Sequence, residues 1–158
     1  IPETEIQTAY GLGAFFAALF GPIAGGLIAF IGHALSDALQ YGSPWWSWVV
    51  ASGISMFIVG LVYTKMKVEE GEFGWKDVLR FNIYQVVANV VAWGVVAPVL
   101  DIVIYAEPAN KVFTQGLVAG AWNIVSAGVI GTLLLFAYSK TRSKKGSLQK
   151  EDEPETKE

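Results

Sequence analysis

The feature that most constrains this chain is the length of its spans without ionised side chains. Between Ala9 and Thr64 the only Asp, Glu, Lys or Arg is Asp37, and the ranges Phe81–Leu100 and Val112–Tyr138 contain none. An apolar stretch of about 18 residues or more is typical of a helix that crosses a bilayer. Because backbone polar groups in lipid must be bonded within the segment, the predicted fold class is an all-α membrane bundle.

Composition agrees with a membrane protein. The chain of 158 residues is 53% hydrophobic and 16% charged, whereas soluble domains carry about a quarter charged residues. The net charge of −3 comes largely from an acidic end and gives no indication of nucleic-acid binding. The absence of cysteine excludes a disulfide framework and a thiolate metal site.

Turn residues and charged segments divide residues 1–138 into a predicted transmembrane bundle of about five helices. We expect these helices at Ala9–Phe20, Pro22–Gln40, Trp46–Thr64, Phe81–Leu100 and Val112–Tyr138. The first is short for a crossing, which needs about 20 residues. Gly21 provides its stop, and Pro22 can begin the next helix at its first position. Residues 139–158 are predicted to form a disordered, charged cytoplasmic tail.

The distribution of Lys and Arg predicts the orientation. Nearly all of them lie in Lys65–Arg80 and Lys140–Lys145, which are therefore expected on the cytoplasmic side. The lead-in of residues 1–8, the turn Tyr41–Trp45 and the loop Asp101–Lys111 carry almost none and are expected outside. The C-terminus of this multi-pass bacterial membrane protein would then be cytoplasmic. An N-terminus on that same side would require a further helix upstream of the lead-in.

The stretch Phe30–Trp48 contains the polar groups that are most costly in a membrane. His33 is the only histidine and precedes Asp37 by four residues, so the two share a helix face and can pair. Ionisable residues inside apolar segments are functional candidates by default. The break at Gly42–Pro44 and the tryptophans after it are typical of a membrane interface. We interpret the stretch as the deep end and rim of one site, although a structural pair or a proton relay are alternatives.

Amides and aromatic residues add to this site. Asn82, Gln85 and Asn89 recur on one face of their helix, and Asn123 lies near the middle of the last helix. Aromatic walls with a few placed amides suit a flat polar heterocycle. The predicted substrate-binding residues are His33, Asp37, Tyr41, Trp45, Trp46, Gln85, Asn89 and Asn123. The alternatives are that the amides join helices and that the tryptophans form an interfacial belt.

Motifs of the common enzyme classes are absent from the sequence. It contains no GxxxxGK[ST], HExxH or GxSxG motif, so we predict neither an enzyme nor a cofactor. One histidine beside a carboxylate supplies too few ligands for a metal. No internal repeat is visible, which disfavours a self-contained inverted-repeat transporter. A stand-alone proton- or ion-coupled carrier using His33 and Asp37 is the alternative function, and a purely structural subunit is a third.

Long runs of the chain resemble a known family. LFGPIAGGLIAFIGHALSDALQYGSPWWSWVVASGI at Leu19–Ile54, FNxxQxxAN at Phe81–Asn89 and QGLVAGxWN at Gln115–Asn123 resemble the substrate-binding S components of energy-coupling factor (ECF) vitamin transporters. The similar group is the one usually called riboflavin-type. The resemblance extends to about Tyr138.

The resemblance implies a fold and a function. Such S components have six helices, so the first would be missing here, together with the small-residue motif that contacts the coupling protein. Both termini are cytoplasmic, and residues 1–8 would be the loop that caps the ligand. The protein would bind a vitamin, riboflavin by the group's label, from outside the cell. Its partners would be membrane lipid, a membrane-embedded coupling protein and two cytoplasmic ATPases, and it would topple to release the vitamin inside.

Overall fold

The structure is a computed structural model that describes residues 8–142, and in this part of the chain every regular element is helical. Within residues 8–142, four helices are long and apolar enough to cross a membrane: α1 (Ala9–Tyr41), α2 (Trp46–Lys65), α3 (Trp75–Tyr105) and α4 (Ala109–Thr141). The predicted all-α class is confirmed. The predicted count of about five helices is not matched.

The difference in count arises at Gly21, where α1 bends back on itself instead of ending. Gly21 has φ 87° and ψ 179°, and the residues on both sides are helical. A β-carbon at Gly25 would lie 2.5 Å from that of Ala17, although a straight helix separates such residues by about 12 Å. Since Pro22 has no N–H to pair, the helix resumes directly after the bend. The segments predicted as two helices are therefore two arms of one element.

Helix α3 is longer than predicted at both ends. It begins at Trp75, inside the predicted loop Lys65–Arg80, because the Asp77 carboxylate accepts a hydrogen bond from the backbone of Gly74 at 3.1 Å and caps the first turn. It continues to Tyr105, past Pro98 and into the predicted loop at Asp101. A π-helical turn at Ala92–Val96 precedes the proline, and such turns let a helix continue where its regular bonding is interrupted.

The remaining boundaries are closer to the predictions. Helix α2 ends one residue beyond the predicted Thr64, and α4 exceeds the predicted Val112–Tyr138 at both ends. Residues 139–141 are helical, whereas the sequence predicts that the tail begins at residue 139. The rest of the predicted tail from residue 143, and residues 1–7 of the predicted capping loop, lie outside the described residues.

Close approach between α1 and α2 depends on small residues. A β-carbon added at Gly60 would lie 2.5 Å from Cα of Pro22. A β-carbon added at Gly25 would lie 3.1 Å from the carbonyl oxygen of Met56. Helices in lipid associate by such packing because apolar side chains gain little from leaving the lipid. The bend of α1 therefore lies beside the end of α2. Both ends of α1 lie at the other side of the bundle, where the Tyr10 hydroxyl is 3.0 Å from that of Ser52.

Adding a methyl group at Gly60 tests this contact. Gly60→Ala should destabilise the protein by about 1–3 kcal/mol, because the new group meets backbone atoms that have no room to move. The thermal unfolding midpoint in detergent would report the change. Gly32→Ala is the matched control, since a β-carbon there meets no atom within 4 Å. Equal midpoints for the two variants would contradict the packing argument.

Candidate functional site

The four helices enclose a cavity of about 450 Å³ at the end where α1 and α3 finish and α2 and α4 begin. Five of the eight predicted binding residues line it: His33, Asp37, Tyr41, Trp45 and Asn123. They come from α1, the turn after it, and α4. The fold thus brings together residues that are far apart in sequence.

Trp45 is held at the cavity wall by two hydrogen bonds and a ring contact. Its backbone N–H donates to the Asp37 carboxylate at 3.0 Å, and its indole N–H donates to the Asp101 carboxylate at 2.7 Å. Its ring stacks on Tyr105 with centroids 4.2 Å apart. Tyr105 also accepts a hydrogen bond at 3.0 Å from the backbone N–H of Trp46. The ring of Trp45 is therefore positioned before any ligand binds.

Asp101 connects α3 to the start of α2. One carboxylate oxygen accepts hydrogen bonds from the Trp45 indole and the Ser47 hydroxyl, and the other accepts from the Trp48 indole at 2.8 Å. The residue is only 2% exposed. A buried carboxylate requires such donors, because without them its desolvation would cost several kcal/mol. These bonds fix two of the tryptophan rings that line the cavity.

Further aromatic residues complete the wall. Trp93 is 5.2 Å from Trp48 and 5.5 Å from Tyr10 between ring centroids, in edge-to-face arrangements. Such arrangements match the positive edge of one ring to the negative face of another. All three residues line the cavity. A ligand in the cavity would therefore contact several aromatic rings that hold one another in place.

A polar chain runs along the side of the cavity formed by α1. His33 Nε2 lies 3.4 Å from an Asp37 oxygen, so the pair predicted from the i, i+4 spacing forms. The other ring nitrogen of His33 is hydrogen-bonded to the Ser52 hydroxyl, which also contacts the Tyr10 hydroxyl. The chain joins the two arms of α1 to α2, because Tyr10 and His33 belong to different arms.

The other three predicted residues do not line this cavity. Trp46 packs against Phe30 with centroids 6.2 Å apart, and its side chain is 48% exposed on the outer surface of the bundle. Gln85 and Asn89 are fully enclosed and bonded to each other, with the Asn89 amide donating to the Gln85 carbonyl at 2.8 Å. Their helix face is turned to α4, where Asn82 donates to Thr132 at 3.1 Å. In the described structure Gln85 and Asn89 therefore bond within α3, and Asn82 joins α3 to α4.

Several cavity residues were absent from the predicted set. They are Tyr10, Trp48, Trp93, Asp101, Glu107, Lys111, Val112, Gln115 and Ala119. Asp101 lies within α3, although the sequence predicts a loop from Asp101 to Lys111 after a helix that ends near Pro98. The apolar run IVIY directly after Asp101 was the signal that the helix continues.

Comparison with known proteins identifies the family. The sequence model of the family "ECF-type riboflavin transporter, S component" matches residues 1–140. The chain belongs to this family. It is 57% identical over 151 residues to a UPF0397 protein of Exiguobacterium sp. (strain ATCC BAA-1283 / AT1b), covering 96% of this chain and 82% of that protein. A UPF0397 protein of Enterococcus faecalis (strain ATCC 700802 / V583) is 54% identical with the same coverage. No solved structure matches.

Membership confirms the resemblance found in the sequence and sets the general role. An S component is the substrate-binding membrane subunit of a transporter and not an enzyme, as predicted. The four apolar helices agree with a protein that spans the membrane several times.

Replacing the Asp101 carboxylate tests its role in positioning this S component's cavity wall. Asp101→Asn should lower the free energy of unfolding by about 1–3 kcal/mol, because the donors from Trp45, Ser47 and Trp48 lose a charged acceptor. Intrinsic tryptophan fluorescence should shift as the two indoles lose their fixed environment. Glu72→Gln, in the exposed loop at the other end of the bundle, is the control. Unchanged stability and emission in Asp101→Asn would show that the carboxylate does not hold these rings.

Proposed function

We propose that this chain captures a vitamin outside the cell for an ECF-type importer, and that the ligand is riboflavin or a related flat heterocycle. The observation that carries the proposal is the preformed cavity, walled by aromatic rings and containing a few polar groups. Its volume of about 450 Å³ lies within the range of small-molecule sites, about 300–1,000 Å³. Aromatic walls favour a flat ring. Polar groups at fixed positions form hydrogen bonds with the edge of that ring and so fix its orientation.

The cavity residues have distinct roles in this proposal. Trp45 and Tyr41 stack on the ligand, since both line the cavity and the Trp45 ring is already fixed. His33, Asp37 and Asn123 form hydrogen bonds to it. Gln85, Asn89 and Trp46, which were predicted to bind it directly, instead support the bundle around the site, in keeping with their contacts.

The distribution of charge supports an opening toward the outside. The bundle end opposite the cavity contains the Lys- and Arg-rich segment, where Arg80 donates to the Lys65 carbonyl at 3.0 Å and Arg142 donates to the Glu69 carbonyl at 3.4 Å. By the positive-inside rule this end is cytoplasmic. The cavity then faces outward, and the C-terminus faces the cytoplasm.

The energy for uptake comes from partners in this proposal. The sequence has no P-loop motif for nucleotide binding, so a coupling protein in the membrane and two cytoplasmic ATPases would drive release of the vitamin. The family supports this assignment, because an S component is one part of an ECF transporter.

A bound ligand that survives purification is the direct test. Protein purified in detergent and then denatured should release one heterocycle per chain, detected by absorbance and mass. A yellow flavin would identify riboflavin. A different heterocyclic vitamin would support the transport role and change the substrate. An empty protein that binds no member of a vitamin panel would contradict the proposal.

Adjacent tryptophans provide a matched mutational test of the site. Trp45→Ala should weaken ligand binding by about tenfold to a hundredfold, because it removes a fixed ring from the cavity wall. Trp46→Ala removes the same side chain one residue later, on the outer surface, and should leave affinity nearly unchanged. Isothermal titration calorimetry with the identified vitamin measures both. Equal losses in the two variants would argue against the cavity as the binding site.

A further inference from the structure

The formal charge of the cavity lining is negative. Its acidic residues are Asp37, Asp101 and Glu107, and its basic residues are Lys111 and His33. Glu107 and Lys111 pair at 3.1 Å, so their charges offset each other. Among the described lining residues, Asp37 and Asp101 remain, with only His33 to oppose them. The lining is therefore negative whether or not His33 is protonated.

The hydrogen bonds to Asp101 supply no positive charge to offset its carboxylate. Among the described residues, every side-chain donor that reaches it is neutral: the indoles of Trp45 and Trp48 and the hydroxyl of Ser47. A ligand that enters the cavity would therefore meet a carboxylate to which none of these donors brings a counter-charge.

The rings of the wall attract positive charge as well. Tyr10, Tyr41, Trp45, Trp48 and Trp93 line the cavity, and the face of an aromatic ring is the negative part of its quadrupole. Several rings around one cavity are the arrangement by which proteins recognise ammonium and other organic cations. Rings and carboxylates therefore favour the same sign of charge, although they act by different interactions.

We infer that the cavity selects a flat heterocycle that carries a positive charge, such as an azolium or a pyridinium. The inference rests on the proposed function and specifies the ligand class more narrowly. An anionic heterocycle, including a phosphorylated vitamin, is disfavoured, because it would bring a like charge close to Asp37 and Asp101. A neutral ring such as riboflavin gains the stacking but not the charge interaction.

A series of small pyridine ligands with different charges tests the inference. The full chain in lipid nanodiscs would be titrated with 1-methylnicotinamide, nicotinamide and nicotinate, which are a cation, a neutral molecule and an anion of similar shape. We expect the cation to bind about tenfold more tightly than nicotinamide, and nicotinate to bind most weakly. Equal affinity for the cation and the neutral molecule would overturn the inference.

Removing a negative charge inside the cavity, and another outside it, tests whether the preference for the cation arises from the cavity lining. Glu107→Gln should reduce the preference for the cation about threefold, because it removes one negative charge from the cavity lining. Glu72→Gln, a carboxylate in the loop at the opposite end, should keep the original ratio. An identical ratio in both variants would also overturn the inference.

The outcomes distinguish the two proposals. If riboflavin or another neutral vitamin binds while the three fragments show no order by charge, the inference is wrong and the vitamin-binding function stands. If neither the fragments nor any member of a vitamin panel binds, the proposed function fails and the inference fails with it.

Discussion

The cavity depends on one buried carboxylate. Asp101 accepts hydrogen bonds from two indoles and a hydroxyl at the start of α2. Tryptophan has a large ring and a single donor, so fixing the N–H also fixes the plane of the ring. Burial of this carboxylate would be costly without hydrogen bonds. Both of its oxygens accept them, and the same bonds orient the tryptophan rings.

The position of Asp101 follows from the course of α3. The π-helical turn at Ala92–Val96 lets the helix continue past Pro98, which places the carboxylate opposite α2 instead of in a loop. Gly116 of α4 lies against this segment, since its β-carbon position would be 2.1 Å from the Trp93 carbonyl oxygen. Only glycine permits that approach. A small residue, an irregular helical turn and a buried charge therefore act together to form one wall.

Sequence reasoning predicted the features that depend on local pattern. The charge-free spans predicted membrane helices, the i, i+4 spacing predicted the contact of His33 with Asp37, and the quoted motifs predicted the family. Its errors involve long-range contacts. Nothing local separates Asn89, which bonds within α3, from Asn123, which lines the cavity. The sequence predicted a break at Gly21, which is the residue where α1 reverses. It predicted the end of one helix there and not a bend within one, because glycine followed by proline is found in both cases.

The reversal at Gly21 also explains how a short apolar arm can contribute to the site. It returns the chain to the cavity end, so that Tyr10 and His33 meet at Ser52. A longer first arm would carry Tyr10 beyond Trp93, whose edge-to-face contact it now makes at 5.5 Å. Ala9–Phe20 is short for a membrane span. With that length, the first arm brings Tyr10 to the cavity wall. In this bundle the turn at Gly21 therefore accounts for how a residue of the first arm reaches the cavity wall.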